Sequence, residues 1–165
     1  PAVVRLLAMP RVYAVFANDG LAPDPVLVTE IRNSRGDVRW VAPSASLGPQ
    51  VIERDQARWM STMLQSVVSD GTGRRAQVEG HRTAGKTGTS QNSRDAWFMG
   101  YSSHLVAGVR VGNDDDTATD NVTGGQLPAE NWRRFISQSH QGLPLIHIRR
   151  SRRIEQCRSQ RAPES

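Results

Sequence analysis

The 165 residues carry a formal net charge of +5, with ordinary hydrophobic content and few aromatics. That length and composition suit one mixed α+β or α/β domain with a real core and make no case for two. No apolar run approaches the roughly 20 residues a membrane helix needs, and no signal-peptide pattern opens the sequence.

Val12, Tyr13, Phe16 and Ala17 recur at helical spacing, which predicts a first helix. Pro10 is tolerated in its opening turn, and Asn18-Asp19-Gly20 supplies the stop. Beyond Pro23 and Pro25, residues 26–31 and 38–41 predict two short strands around the turn residues Asn33-Ser34-Arg35-Gly36-Asp37. From Asp55 a new stripe, Trp59, Met60, Met63, Leu64, Val67 and Val68, predicts a core-facing helix over 55–69, ended by Asp70-Gly71-Thr72-Gly73. The period then changes. Residues 83–90, 95–101 and 104–112 predict three strands, the last two joined tightly through Ser102-Ser103 as in an antiparallel hairpin. Asn113-Asp114-Asp115-Asp116 lacks the alternating spacing and glycine of a calcium loop and is expected as a solvated turn. Gly124-Gly125 breaks the next loop, and Leu127-Pro128-Ala129 leads to a final helix over 130–139 with Trp132, Phe135 and Ile136 on one side.

Beyond Gly142 the periodicity fades, so residues 1–142 are expected as the domain and 143–165 as a disordered tail. The tail holds Arg149, Arg150, Arg152, Arg153, Arg158 and Arg161 against Glu155 and Glu164, which leaves only +1 for the first 142 residues. A basic tail of this kind is more often solvated than bound to phosphate, so nucleic acid is not an expected partner. Cys157, the single cysteine, also lies there and forms no internal disulfide. His81, His104, His140 and His147 include no zinc-site spacing, so neither a metal nor any other cofactor is expected.

Of 21 basic residues, 20 are arginine and one is lysine, Lys86. Lysine is a compact ammonium able to approach a single oxygen, where arginine is a splayed fork. Residues 80–87, Gly80-His81-Arg82-Thr83-Ala84-Gly85-Lys86-Thr87, spell the phosphate-binding pattern G-x-x-x-x-G-K-T. That pattern requires an apolar strand before it and a helix after it, because helix amides hold the phosphates. Here Arg74 to Glu79 is polar, and Gly88 to Ser93 has helix breakers and no apolar stripe. Both flanks fail the phosphate-loop pattern, which stays as an alternative only. The same lysine opens Lys86-Thr87-Gly88-Thr89, the K-T-G element of serine acyl-transferring enzymes that handle penicillin or D-alanyl peptides.

Around it, in order, stand Gly71-Thr72-Gly73-Arg74, Ala84-Gly85-Lys86-Thr87-Gly88-Thr89-Ser90, Asp95-Ala96-Trp97-Phe98-Met99-Gly100-Tyr101, Val106-Ala107-Gly108-Val109 and Thr123-Gly124-Gly125. With Tyr13-Ala14-Val15-Phe16-Ala17-Asn18 ahead of them, residues 12–136 resemble the last third of the transpeptidase domain of bifunctional (class A) penicillin-binding proteins. The resemblance implies an α+β, β-lactamase/transpeptidase-like fold. It also implies acyl transfer on peptidoglycan stems and covalent capture of β-lactams. It makes residues 83–90 a cleft wall: Thr87 and Thr89 to hold a terminal carboxylate, Gly88 to let the substrate backbone lie close, the Thr89 amide as an oxyanion donor, and Lys86 as a positive charge beside the serine of the family's S-x-N element. The partners it implies are D-Ala-D-Ala stem peptides, β-lactams and the remaining N-terminal part of the domain. The parent it implies is anchored at the periplasmic face of the inner membrane.

The departures matter as much. The family nucleophile lies in S-x-x-K, yet Lys86 is the only lysine and Thr83 stands three residues before it. Ser90-Gln91-Asn92 matches S-x-N in letters but follows K-T-G, whereas the family's element precedes it. The expectation is therefore half an active site, a substrate-binding wall without a nucleophile. The alternative class is a non-catalytic remnant or interaction module.

Overall fold

The computed structural model describes residues 7–43 and 48–142; the expected tail, 143–165, lies outside the described residues. Helix α1 spans Ala8–Ala17, with Pro10 in its first turn. The Asn18 side-chain amide donates to the Ala14 carbonyl at 2.9 Å, and Gly20, at φ 96°, turns the chain away.

Strands β1 (Glu30–Arg32) and β2 (Val38–Val41) form a small antiparallel hairpin with every residue exposed. Asn33 Oδ1 accepts the amides of Arg35 and Asp37, which closes the turn. The first strand is shorter than the expected 26–31, because its partner runs out. The last pairing bond runs from the Ala42 amide to the Thr29 carbonyl, and Pro43 next to it has no N–H to offer. Leu27, left outside the ladder, is 83% exposed.

Helix α2 covers Arg54–Ser69, with Asp55 favourably placed in its first turn. Its buried line is Ala57, Ser61, Leu64 and Val68, at i, i+4, i+7 and i+11. The expected stripe is therefore core-facing only in part: Trp59 is 39% exposed and Met63 57%. Arg58 grips Asp19 through Nε and a terminal nitrogen at 3.2 and 3.1 Å, tying α2 to the exit of α1.

After a 3-10 turn at Arg74–Ala76, strands β3 (Ala84–Thr89), β4 (Asp95–Tyr101) and β5 (Val106–Gly112) form an antiparallel sheet in the order β3-β4-β5. In the β4–β5 turn the Ser102 hydroxyl oxygen accepts two amides, those of His104 and Leu105, so β5 begins at Val106 rather than 104. Asp115 in the acidic run accepts from Thr117, whose hydroxyl and amide hold its carboxyl below the usual range, and Asp116 pairs with Arg94 at 2.6 Å.

Helix α3, Leu127–Ser139, starts three residues earlier than expected because Pro128 fits its first turn. Trp132 and Ile136 are buried, whereas Phe135 is 53% exposed.

Side chains alternate across a strand, so the sheet has two apolar faces. Phe98 joins Val68, Ala76, Val78, Ala129, Trp132 and Ile136 under α3. Tyr101 joins Leu64 and Ala84 against α1 and α2, with its phenol on the Ser61 hydroxyl at 2.7 Å. Phe98 and Trp132 meet edge-on at 5.2 Å, and the Trp132 indole N–H donates to the Ala107 carbonyl at 3.0 Å. A side chain at Gly85 or Gly100 would displace the Phe98 ring.

Candidate functional site

The register pairs Lys86 with Met99, Thr87 with Phe98, Gly88 with Trp97 and Thr89 with Ala96. The Ser90 amide donates to the Asp95 carbonyl, so Ser90–Asp95 is a hydrogen-bonded pair of the ladder. Such pairs alternate, which makes 88–97, 86–99 and 84–101 the others. The β4–β5 register agrees: the Ser102 amide bonds the Leu105 carbonyl, so β4 turns residues 100, 98 and 96 toward β5 and its odd-numbered residues toward β3. The amides and carbonyls of Thr87 and Thr89 therefore point away from the sheet, along an edge that no described strand covers.

Thr87 and Thr89 share a face with Phe98 but sit beyond its ring; Thr87 is half-buried and Thr89 exposed. The Thr87 hydroxyl meets the Thr72 hydroxyl at 2.7 Å. The Thr89 hydroxyl oxygen accepts the Gly124 amide at 3.2 Å. Gly124 lies directly over the Gly88–Trp97 pair, where a Cβ would collide with both carbonyl oxygens. The exposed Lys86 ammonium bends back along the open edge. It donates to the Thr87 carbonyl at 2.9 Å and lies 3.4 Å from the Thr87 hydroxyl oxygen. On the opposite face a side chain at Gly88 would meet only the Trp97 Cβ, at 3.5 Å. The Trp97 ring carries the Arg110 guanidinium at 5.7 Å, and Arg110 pairs with Asp95 at 2.6 Å.

This geometry removes the phosphate-loop alternative. Lys86 lies inside a strand, and the only helix that follows it closely is a three-residue 3-10 turn, Gln91–Ser93, kinked by Asn92 at φ 57°. Among the described residues no α-helix begins directly after the lysine. Lys86, Thr87, Gly88 and Thr89 instead come together at the end of one open edge. Sequence reasoning gave no role to Thr72 or Gly124. Both lie in blocks that stood out as motifs, but nothing in their spacing signals that they close on the two threonines.

The family described as the penicillin binding protein transpeptidase domain matches residues 4–140. Penicillin-binding protein 1A of Aquifex aeolicus is 38% identical over 111 residues, covering 67% of this chain and 15% of that protein. Penicillin-binding protein 1A of Neisseria lactamica is 32% identical over 143 residues, covering 84% and 18%. The chain thus spans under a fifth of the length of these relatives. Among solved structures, the penicillin-binding protein PonA1 from Mycobacterium tuberculosis superposes with a TM-score of 0.77 at 25% identity, over 88% of this chain and 40% of that one. The D,D-transpeptidase domain of a peptidoglycan glycosyltransferase from Eggerthella lenta gives 0.72 at 28% identity, over 86% and 33%.

Proposed function

The chain belongs to the penicillin-binding protein transpeptidase domain family, and we propose that residues 84–89 are the substrate-binding wall of such a domain, serving acyl transfer on D-Ala-D-Ala stem peptides. One observation carries this: an outward amide at Thr89, two hydroxyls and the ammonium of the chain's sole lysine lie together on an open strand edge. An extended peptide can add along that edge by main-chain hydrogen bonds. Its terminal carboxylate meets the hydroxyls of Thr87 and Thr89 and the charge of Lys86. The Thr89 amide donates to the acyl oxygen as negative charge develops on it.

The reaction needs a serine oxygen to bond the penultimate D-alanine carbonyl carbon. The peptide C–N bond then breaks, the serine proton passes to the departing amine, and D-alanine leaves. The amine of a second stem afterwards takes the acyl group and frees the serine. In a β-lactam the broken C–N bond lies within the ring, so the nitrogen stays attached and the acyl-enzyme persists. No S-x-x-K occurs in these 165 residues. The nucleophile therefore comes from another part of the domain, and this chain alone binds without turning over. We place the working protein outside the cytoplasm, anchored to the membrane; among the described residues no helix is long and apolar enough to cross one. The same lack of a nucleophile favours a second reading, a non-catalytic interaction module.

A fluorescent penicillin separates the two. The chain alone should form no boiling-resistant adduct. Mixed with the part of a transpeptidase domain that bears the nucleophile, it should restore labelling that excess unlabelled penicillin abolishes. In that mixture Lys86→Arg should slow acylation by about 10- to 100-fold, the loss of one charge-assisted hydrogen bond. Labelling by the chain alone, or an unchanged rate in the variant, would overturn the assignment.

A further inference from the structure

The Thr87 hydroxyl oxygen has one proton to give and two lone pairs. Two groups able to donate converge on it: the Lys86 ammonium at 3.4 Å, and the Thr72 hydroxyl at 2.7 Å, a contact in which either oxygen can be the donor. When both donate, the lone pairs are filled and the Thr87 proton is left for a third partner. Thr89 repeats the arrangement, since the Gly124 amide donates to its hydroxyl oxygen and leaves its proton over. With the Thr72 bond reversed, Thr87 would spend its proton on Thr72 and offer an incoming anion only an oxygen.

We propose that Thr72 is a positioning residue: by donating its hydroxyl proton to Thr87, it turns the Thr87 hydroxyl into a fixed donor aimed at a carboxylate. The inference rests on the carboxylate-binding role given above to Thr87 and Thr89. Thr72 has no need to touch the ligand. Its own position is over-determined by backbone. Next to it, Gly73 is buried, and a Cβ there would lie 3.2 Å from the Phe98 ring. On its other side Gly125 packs against the Thr72 carbonyl oxygen, leaving no room for a side chain, and a Cβ on Gly125 would also reach Thr87 Cγ2 at 3.7 Å. The pair is thus held between the end of α2 and the start of α3. A rigid donor loses less entropy on binding an anion than a freely rotating one.

The test uses the isotope-labelled 165-residue chain with Thr72→Val, which keeps the shape and removes the hydroxyl, and Thr72→Ser, which restores it. Acetyl-D-alanyl-D-alanine is titrated while the amide shifts of Thr87 and Thr89 are followed, with the matching alaninol, which lacks the carboxylate, as control. Independently of ligand, three-bond couplings report the Thr87 χ1 rotamer. Thr72→Val should weaken carboxylate-dependent binding about three- to tenfold and average the Thr87 rotamer, at an unchanged thermal midpoint. Thr72→Ser should retain both properties. Wild-type binding by the valine variant, or an unaltered Thr87 rotamer in it, overturns the role of Thr72. Absence of any carboxylate-dependent shift in the wild type overturns the substrate-wall reading instead, and the couplings alone then decide whether Thr72 orients Thr87.

Discussion

Trp132 is the only fully buried tryptophan of the four, and it bridges α3 to the sheet. Its ring meets Phe98 at 5.2 Å and its N–H holds the Ala107 carbonyl at 3.0 Å. Truncation by Trp132→Ala should cost about 3–5 kcal/mol, the range for a large buried aromatic whose site cannot collapse. Trp132→Phe keeps an aromatic ring but loses the indole hydrogen bond and leaves part of the site empty. It should cost about 2 kcal/mol, half from the unmade bond and half from the void. Urea unfolding followed by far-UV circular dichroism gives these differences at constant slope. Fluorescence supplies a control, because Trp132→Phe removes the buried emitter and leaves exposed ones. Trp59→Ala, on the open side of α2, should change stability by less than about 1 kcal/mol. If Trp132→Ala costs as little as Trp59→Ala, the α3–sheet interface is not the centre of the core, and the argument from burial fails.

Two further outcomes are expected. Burial pushes the Tyr101 phenol up to about 12, against the lowering effect of its Ser61 bond. The unfolded chain releases that proton near pH 10, so stability is full below about pH 10 and is lost as pH rises toward 12, at up to about 1.4 kcal/mol per unit. Urea midpoints measured between about pH 9 and 11.5 should fall for the wild type and stay flatter for Tyr101→Phe, and parallel curves would refute the assignment. Gly124→Ala should push its loop off the Gly88 and Trp97 carbonyls, with the Thr89 amide shifting strongly in NMR spectra; a spectrum unchanged at Thr89 would show that Gly124 does not hold that hydroxyl.

The strand edge was legible because it obeys a period of two. Threonine, glycine, threonine fixes which side chains share a face, and the neighbouring strand can pair in one way only without moving Phe98 out of the core. Helix α2 was legible as a helix but not in its facing. Hydropathy points to Trp59 and Met63, yet the line against the sheet is Ala57, Ser61, Leu64 and Val68. Small residues there let the helix approach Ala84 and place Ser61 under the Tyr101 phenol, and a hydropathy pattern weights a small alanine or a serine far less than tryptophan or methionine. The partners of the two threonines were not legible either. Thr72 and Gly124 lie 15 and 35 residues away along the chain, and only tertiary packing brings them to the edge.

That packing explains why an exposed site is held firmly at all. Hydrogen bonds between exposed hydroxyls contribute little by themselves, because water competes for both partners. Here the two loops that supply them touch each other and both leave one apolar cluster. The end of α2 is fixed through Val68 and through Gly73 beneath the Phe98 ring, and the start of α3 through Ala129 and Trp132. Phe98 itself is paired with Thr87 in the ladder. A change at Phe98 or Trp132 would therefore reach both threonines together, one through Thr72 and the other through Gly124. A change at the exposed Trp59 or Met63 would reach neither. The hydroxyl geometry is thus a consequence of how tightly this one face of the sheet is packed.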